Sequence, residues 1–148
     1  MRPENYKSAF KTLLISGKSL SNETYSVGHY LLGLAAECAL RKVVSTRSIE
    51  IKNAHKFDAI FNEACTITPS LSRLSKQIKW MSLVWRNTDR YLSDQELFDL
   101  RLKGNGTVLK EIGLTYADLR FKHKVMERFR ESMIANVGEI GKAVNIYE

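Results

Sequence analysis

Proline, the residue that most strongly interrupts helices, occurs only twice in this chain of 148 residues, at Pro3 and Pro69. Elsewhere the apolar residues recur every three or four positions, and no segment alternates apolar and polar residues as a half-buried strand does. Together these features predict an all-α fold, an up-and-down bundle of about five helices. Because neither a repeat nor a flexible linker divides the sequence, we expect one helical domain spanning residues 1–148.

The N-terminal half predicts two long helices joined by a short turn. The first runs from Pro3 to about Ser19, since proline in the first helical turn costs no hydrogen bond. The second runs from about Thr24 to Val44 and is apolar on most sides, which is typical of the central helix of a bundle. Glu37 lies inside it, and we expect this carboxylate either to pair with Arg41 or to orient a cleft arginine such as Arg86.

The rest of the chain predicts further helices. A third begins near Ala54, and a fourth follows Thr68-Pro69, where a capping hydroxyl precedes proline. A short helix is expected around residues 97–100, before a turn at residues 103–106. The last and longest helix runs from about Tyr116 to Val144.

The composition indicates a soluble, cytoplasmic protein. No apolar run approaches the roughly 20 residues of a membrane span, and the first residues do not resemble a signal peptide. The net charge of +7 favours acidic partners, nucleic acid first among them. Cys38 and Cys65 are expected to be unpaired core residues, and no pair of histidines has metal-ligand spacing, so we expect no metal and no other cofactor.

Three segments resemble the HEPN family of small all-α domains. Residues 28–42 (GHYLLGLAAECALRK) are similar to its second helix, in which a small-residue face leads to a buried glutamate and a basic residue. Residues 55–61 (HKFDAIF) resemble the start of its next helix, and residues 85–91 (WRNTDRY) resemble a Trp, four residues, Arg-Tyr ending. With the long last helix, the resemblance spans roughly residues 5–145, in the family's order.

The resemblance implies a helical bundle that usually dimerises. Many members are metal-independent ribonucleases that act as toxins or phage-defence effectors, with an arginine and a histidine four to six residues apart at the dimer cleft. Other members lack that pair and serve as binding or dimerisation partners, some beside nucleotidyltransferases.

Carried onto this chain, the nuclease motif implies Arg86, Asn87 and Tyr91 as catalytic residues, with Tyr91 at the histidine's place. A phenol, with an ordinary pKa near 10 against about 6.5 for imidazole, is a weak general base at neutral pH. Arg86 and Arg90 are four residues apart, so on a helix both would reach one phosphate. Asp89 is expected to screen the charge of these arginines. Glu37 is expected to orient them without contacting the ligand itself. The alternative is structural: Arg90 and Tyr91 close a helix end, and Trp85 fills the core.

Two functions follow. The first is a HEPN-like protein of a toxin–antitoxin or phage-defence system that binds RNA at a dimer cleft and cleaves it if Tyr91 can act as the base. The alternative is a non-catalytic module that partners another protein, such as a nucleotidyltransferase, or a nucleotide. We expect a two-fold homodimer, because residues 80–85 carry apolar side chains on more sides than one core can use.

Overall fold

The structure, a computed structural model, describes residues 3–46 and 56–146. Within these two ranges every regular element is helical and no strand is present, which confirms the all-α bundle. The described residues form seven α-helices where about five were expected for the chain, and two of the seven are short: α1 (Pro3–Leu20), α2 (Tyr25–Val44), α3 (Phe57–Ile67), α4 (Ser75–Val84), α5 (Asp94–Leu97), α6 (Gly106–Glu111) and α7 (Lys122–Ala143). The expected helix start at Ala54, and His55 beside it, lie outside the described residues.

The second helix is central, as its apolar character predicts. It packs against α1, α3 and α7, and its buried residues lie on more than one side of the helix. At Gly33 the Trp85 side chain lies so close to the backbone of α2 that an added Cβ would be 1.9 Å from Nε1 of Trp85. The Trp85 indole donates a hydrogen bond to the carbonyl oxygen of Tyr30 at 3.1 Å and stacks on the Tyr30 ring. Glycine at position 33 therefore lets the residue after α4 dock onto α2.

Two helix starts differ from the sequence prediction. Pro69 begins a 3-10 helix (Pro69–Leu74) that leads into α4, and the Thr68 side chain makes no capping hydrogen bond, so the predicted hydroxyl cap is wrong. The last long helix begins at Lys122 rather than Tyr116, because residues 116–120 form a separate 3-10 helix with its own capping box. The bounds expected for α1 and α2 are confirmed to within a residue.

The apolar segment 80–85 is absorbed by the core of a single chain. Trp80, Met81, Val84 and Trp85 are all at most 5% exposed, and only Leu83 is exposed. The argument that this segment needs a second subunit is therefore wrong, while the homodimer itself stays a prediction. No helix in the described ranges is both long enough and apolar enough to span a membrane.

Candidate functional site

The chain changes conformation where it leaves α4. Trp85 and Arg86 have extended backbone, and Asn87–Tyr91 form a 3-10 helix. The prediction that Arg86 and Arg90 stand one turn apart on a single α-helix is therefore wrong. The helix stops because the Trp85 side chain turns into the core against α2, where Phe57 also packs on it at 5.1 Å between ring centroids.

Asp89 fixes the backbone at this bend. Its Oδ2 accepts a hydrogen bond from the backbone N–H of Arg86 at 2.9 Å, which caps the 3-10 helix. The carboxylate is 2% exposed, and its charge is met by Arg101, whose Nη2 lies 2.5 Å from Oδ1 and whose Nε lies 3.4 Å from Oδ2. Asp89 therefore pairs inside the protein with Arg101, rather than screening the side chains of Arg86 and Arg90 as expected.

His29 completes this buried polar cluster. Its Nε2 lies 2.8 Å from the Val84 carbonyl oxygen, which can only accept, so Nε2 carries the proton. The same nitrogen is 3.9 Å from Oδ2 of Asp89. Burial lowers the pKa of His29 to about 4, although the Val84 hydrogen bond and the Asp89 charge act in the opposite direction and Arg101 adds to the lowering. His29 is therefore neutral at neutral pH and serves the fold.

The buried neutral histidine predicts a loss of stability in acid. Its pKa is lower in the folded chain than in the unfolded one, so between these values the unfolded chain binds more protons and stability falls as pH falls. With an unfolded pKa of about 6.5 and a folded pKa of about 4, His29 should remove about 2 kcal/mol between pH 7 and pH 5. Urea unfolding at the two pH values should show this loss in the wild type and in His123→Asn, but not in His29→Gln. An unchanged pH dependence in His29→Gln would contradict it.

A groove of about 480 Å³ lies beside the bend. Phe57 and Trp85, both buried, form its floor. Two exposed cations, Lys56 and Arg86, line it, and its carboxylate, Asp58, accepts a hydrogen bond from the Ser82 hydroxyl at 3.1 Å. The remaining lining residues are polar and uncharged: Ser82, Asn87 and Thr88. We call this feature the Arg86 groove.

The Arg86 groove brings together only part of the predicted site. Arg86 and Asn87 line it, and the Asn87 side-chain oxygen is 3.4 Å from the Tyr30 hydroxyl that donates to it. Arg90 and Tyr91 are not among its lining residues. Both are exposed, and the Arg90 guanidinium lies 4.7 Å from the centre of the Tyr91 ring, so these two side chains contact each other outside the groove.

Glu37 pairs with a residue of its own helix, which is the first of the two expectations stated for it. Its Oε1 lies 3.5 Å from Nη2 of Arg41, one turn later on α2. Within the described residues no group of three or more His, Cys, Asp or Glu side chains is arranged to hold a metal ion. Cys38 and Cys65 are unpaired, and burial raises the pKa of the Cys38 thiol to about 11, so it stays protonated and unreactive.

No family model, no curated protein and no solved structure matches this chain. The case for a function therefore rests on the chemistry of the Arg86 groove and on the sequence pattern around it.

Proposed function

We propose that the chain is a HEPN-like RNA-binding protein of a toxin–antitoxin or phage-defence system, which holds RNA phosphates in the Arg86 groove. The observation that carries this proposal is the convergence of Lys56 and Arg86, both exposed, on one groove. The net charge of +7 supports it, since a cationic protein attracts polyanions over a long range. The three HEPN-like segments also contribute to this one region: Tyr30 and Gly33 come from the first, Lys56 and Phe57 from the second, and Trp85 to Asn87 from the third.

The groove supplies complementary donors for a phosphate. The planar guanidinium of Arg86 can donate two parallel hydrogen bonds to phosphate oxygens, while Lys56 contributes a compact charge. The hydroxyl of Thr88 and the amide of Asn87 add neutral donors nearby. Among the described lining residues Asp58 is the one carboxylate, and its Oδ1 accepts a hydrogen bond from the Ser82 hydroxyl.

The backbone that carries Arg86 is held in place before any ligand binds. Its N–H is fixed by Asp89, which is itself paired with Arg101, and the preceding residue is docked on α2. A binding residue on a rigid backbone loses less conformational entropy when it engages its ligand. Asp89 and Arg101 therefore act as positioning residues for Arg86.

The geometry favours binding over cleavage. Metal-independent RNA cleavage needs a base within hydrogen-bond reach of the reacting hydroxyl. No histidine is among the groove's described lining residues, and Tyr91, which stands at the histidine's place, is 74% exposed and outside the groove. Total RNA incubated with the wild type, with and without Mg²⁺, should therefore stay intact.

Removing either cation should weaken RNA binding. Arg86→Ala and Lys56→Ala are each expected to raise the Kd for a short fluorescent single-stranded RNA about three- to tenfold at low salt. Each variant should also reduce the slope of log Kd against log salt concentration by about the amount that one phosphate contact contributes. The matched control is Lys110→Ala, which removes an exposed cation that is not among the groove's lining residues. Fluorescence anisotropy over a salt series measures both quantities. Equal losses in all three variants would contradict a local phosphate site.

A second function is favoured by the exposed Arg90–Tyr91 pair. Arginine and tyrosine are among the residue types that contribute most binding energy at protein interfaces, and this pair is stacked and accessible. A non-catalytic module that partners another protein would use such a surface. The RNA titration separates the two functions, because this alternative predicts no binding of RNA by the wild type. Sedimentation at micromolar concentration tests the expected homodimer.

A further inference from the structure

The Arg86 groove contains more than a phosphate site requires. Its volume of about 480 Å³ lies within the range in which proteins bind small molecules, about 300–1,000 Å³. Lys56 and Arg86 attract a phosphate, but the lining also includes the carboxylate of Asp58, which repels one. The additional space and the carboxylate point to a second group of the ligand, one that donates hydrogen bonds.

Asp58 is accessible to such a donor. It is exposed and lies in the first turn of α3, where the partial positive charge of the helix end favours a carboxylate. Its Oδ1 accepts the hydrogen bond from the Ser82 hydroxyl, and within the described part of the chain neither Asp58 nor the two groove cations form an ion pair. Because each carboxylate oxygen can accept two hydrogen bonds, both oxygens of Asp58 can still accept from a ligand.

The four RNA bases differ in what they offer to a carboxylate. The Watson–Crick edge of guanine carries two adjacent donors, N1–H and the N2 amino group, and their parallel N–H bonds match the two carboxylate oxygens. Adenine and cytosine place one amino group beside a ring nitrogen that accepts, and uracil places its N–H between two carbonyl oxygens. With those three bases an acceptor atom would face the carboxylate. Unpaired bases in single-stranded RNA expose this edge, and proteins read it by hydrogen bonds.

We infer that Asp58 makes the Arg86 groove selective for guanine. Its two oxygens accept from N1–H and the N2 amino group of one unpaired guanine, while Arg86 and Lys56 hold a phosphate of the same strand. The carboxylate also repels the backbone of strands that offer it no donor. This inference rests on the proposed binding of RNA in the Arg86 groove, and it narrows the ligand to strands that carry an unpaired guanine.

Three fluorescent RNA pentamers test the selectivity. Each consists of uridine except at the central position, where the base is guanine, hypoxanthine or uracil. Hypoxanthine is the matched control, because it keeps the N1–H of guanine and lacks only the N2 amino group. By fluorescence anisotropy, the wild type should bind the guanine strand about three- to tenfold more tightly than the hypoxanthine strand, the effect of one hydrogen bond to a charged acceptor that water partly replaces. The uracil strand should bind no more tightly than the hypoxanthine strand.

Two variants assign the selectivity to Asp58. Asp58→Asn replaces one acceptor oxygen by a donor, so the three strands should bind with Kd values within about twofold of one another. Because a negative charge is removed, this variant should bind the uracil strand at least as tightly as the wild type does. The matched control is Asp99→Asn. Asp99 is also an exposed carboxylate that accepts one side-chain hydrogen bond, from Gln95, but it is not among the groove's lining residues, so its variant should keep the guanine preference.

The outcomes separate this inference from the proposed function. Equal affinities of the wild type for the three strands, with weaker binding in Arg86→Ala, would overturn guanine selectivity and leave the phosphate site intact. A guanine preference that persists in Asp58→Asn would overturn the role of Asp58. If the wild type binds none of the strands, the proposed RNA binding fails and the selectivity fails with it.

Discussion

Replacing Arg101 by methionine should lower the free energy of unfolding by about 3–5 kcal/mol, because it leaves the Asp89 carboxylate buried without its counter-ion. Asp89 is 2% exposed and Arg101 is 8% exposed, so water cannot replace the lost partner. The carboxylate would keep only the hydrogen bond from the Arg86 N–H and the distant His29 imidazole. Urea unfolding followed by circular dichroism measures the loss.

Two controls locate the effect. Arg101→Lys keeps the charge but not the two-nitrogen contact, so its loss should fall between those of the wild type and Arg101→Met. Lys124→Met breaks an ion pair with Asp118 on the surface, where water screens the charges, and its unfolding midpoint should hardly move. If Arg101→Met unfolds at the same urea concentration as Lys124→Met, the buried pair does not stabilise the fold as described.

The long helices could be predicted from the sequence because their signals are local. Pro3 suits the first turn of a helix, and the apolar spacing of residues 24–44 indicates a central helix, which the structure packs against α1, α3 and α7. Local reasoning failed at the end of α4, where helical spacing predicted that Arg86 and Arg90 share a face. There a tertiary contact, the docking of Trp85 against Gly33, ends the helix and overrides the local pattern.

The partners of the site residues were harder to predict, because each depends on the fold. Asp89 stands beside Arg90 in sequence, yet its carboxylate pairs with Arg101, twelve residues away. The one available signal was an arginine between two leucines, Leu100-Arg101-Leu102, directly after the short helix expected around residues 97–100. Lys56 was part of a family resemblance but not of the predicted site, and it lines the same groove as Arg86 only because α3 packs on α4. Spacing along the chain carries no information on which distant residues line one groove.

Replacing Gly33 by alanine should lower the free energy of unfolding by about 3 kcal/mol, at the upper end for an overpacked core. The added Cβ would lie 1.9 Å from Nε1 and 2.1 Å from Cε2 of the Trp85 indole, a rigid ring that cannot bend away. Trp85 would have to shift, which strains or breaks its hydrogen bond to the Tyr30 carbonyl. Since Trp85 forms the floor of the Arg86 groove and precedes Arg86, RNA binding should weaken together with stability.

A double-mutant cycle distinguishes this clash from a general loss of helix packing. Phenylalanine lacks the indole nitrogen that the new methyl group would strike, so Gly33→Ala combined with Trp85→Phe should cost clearly less than the sum of the two single losses. Gly138→Ala on α7 is the matched control, because nothing lies within 4 Å of its added Cβ and alanine favours a helix. That variant should be at least as stable as the wild type. Strict additivity in the cycle would show that position 33 does not act through Trp85, and the account of how α4 ends would then fail with it.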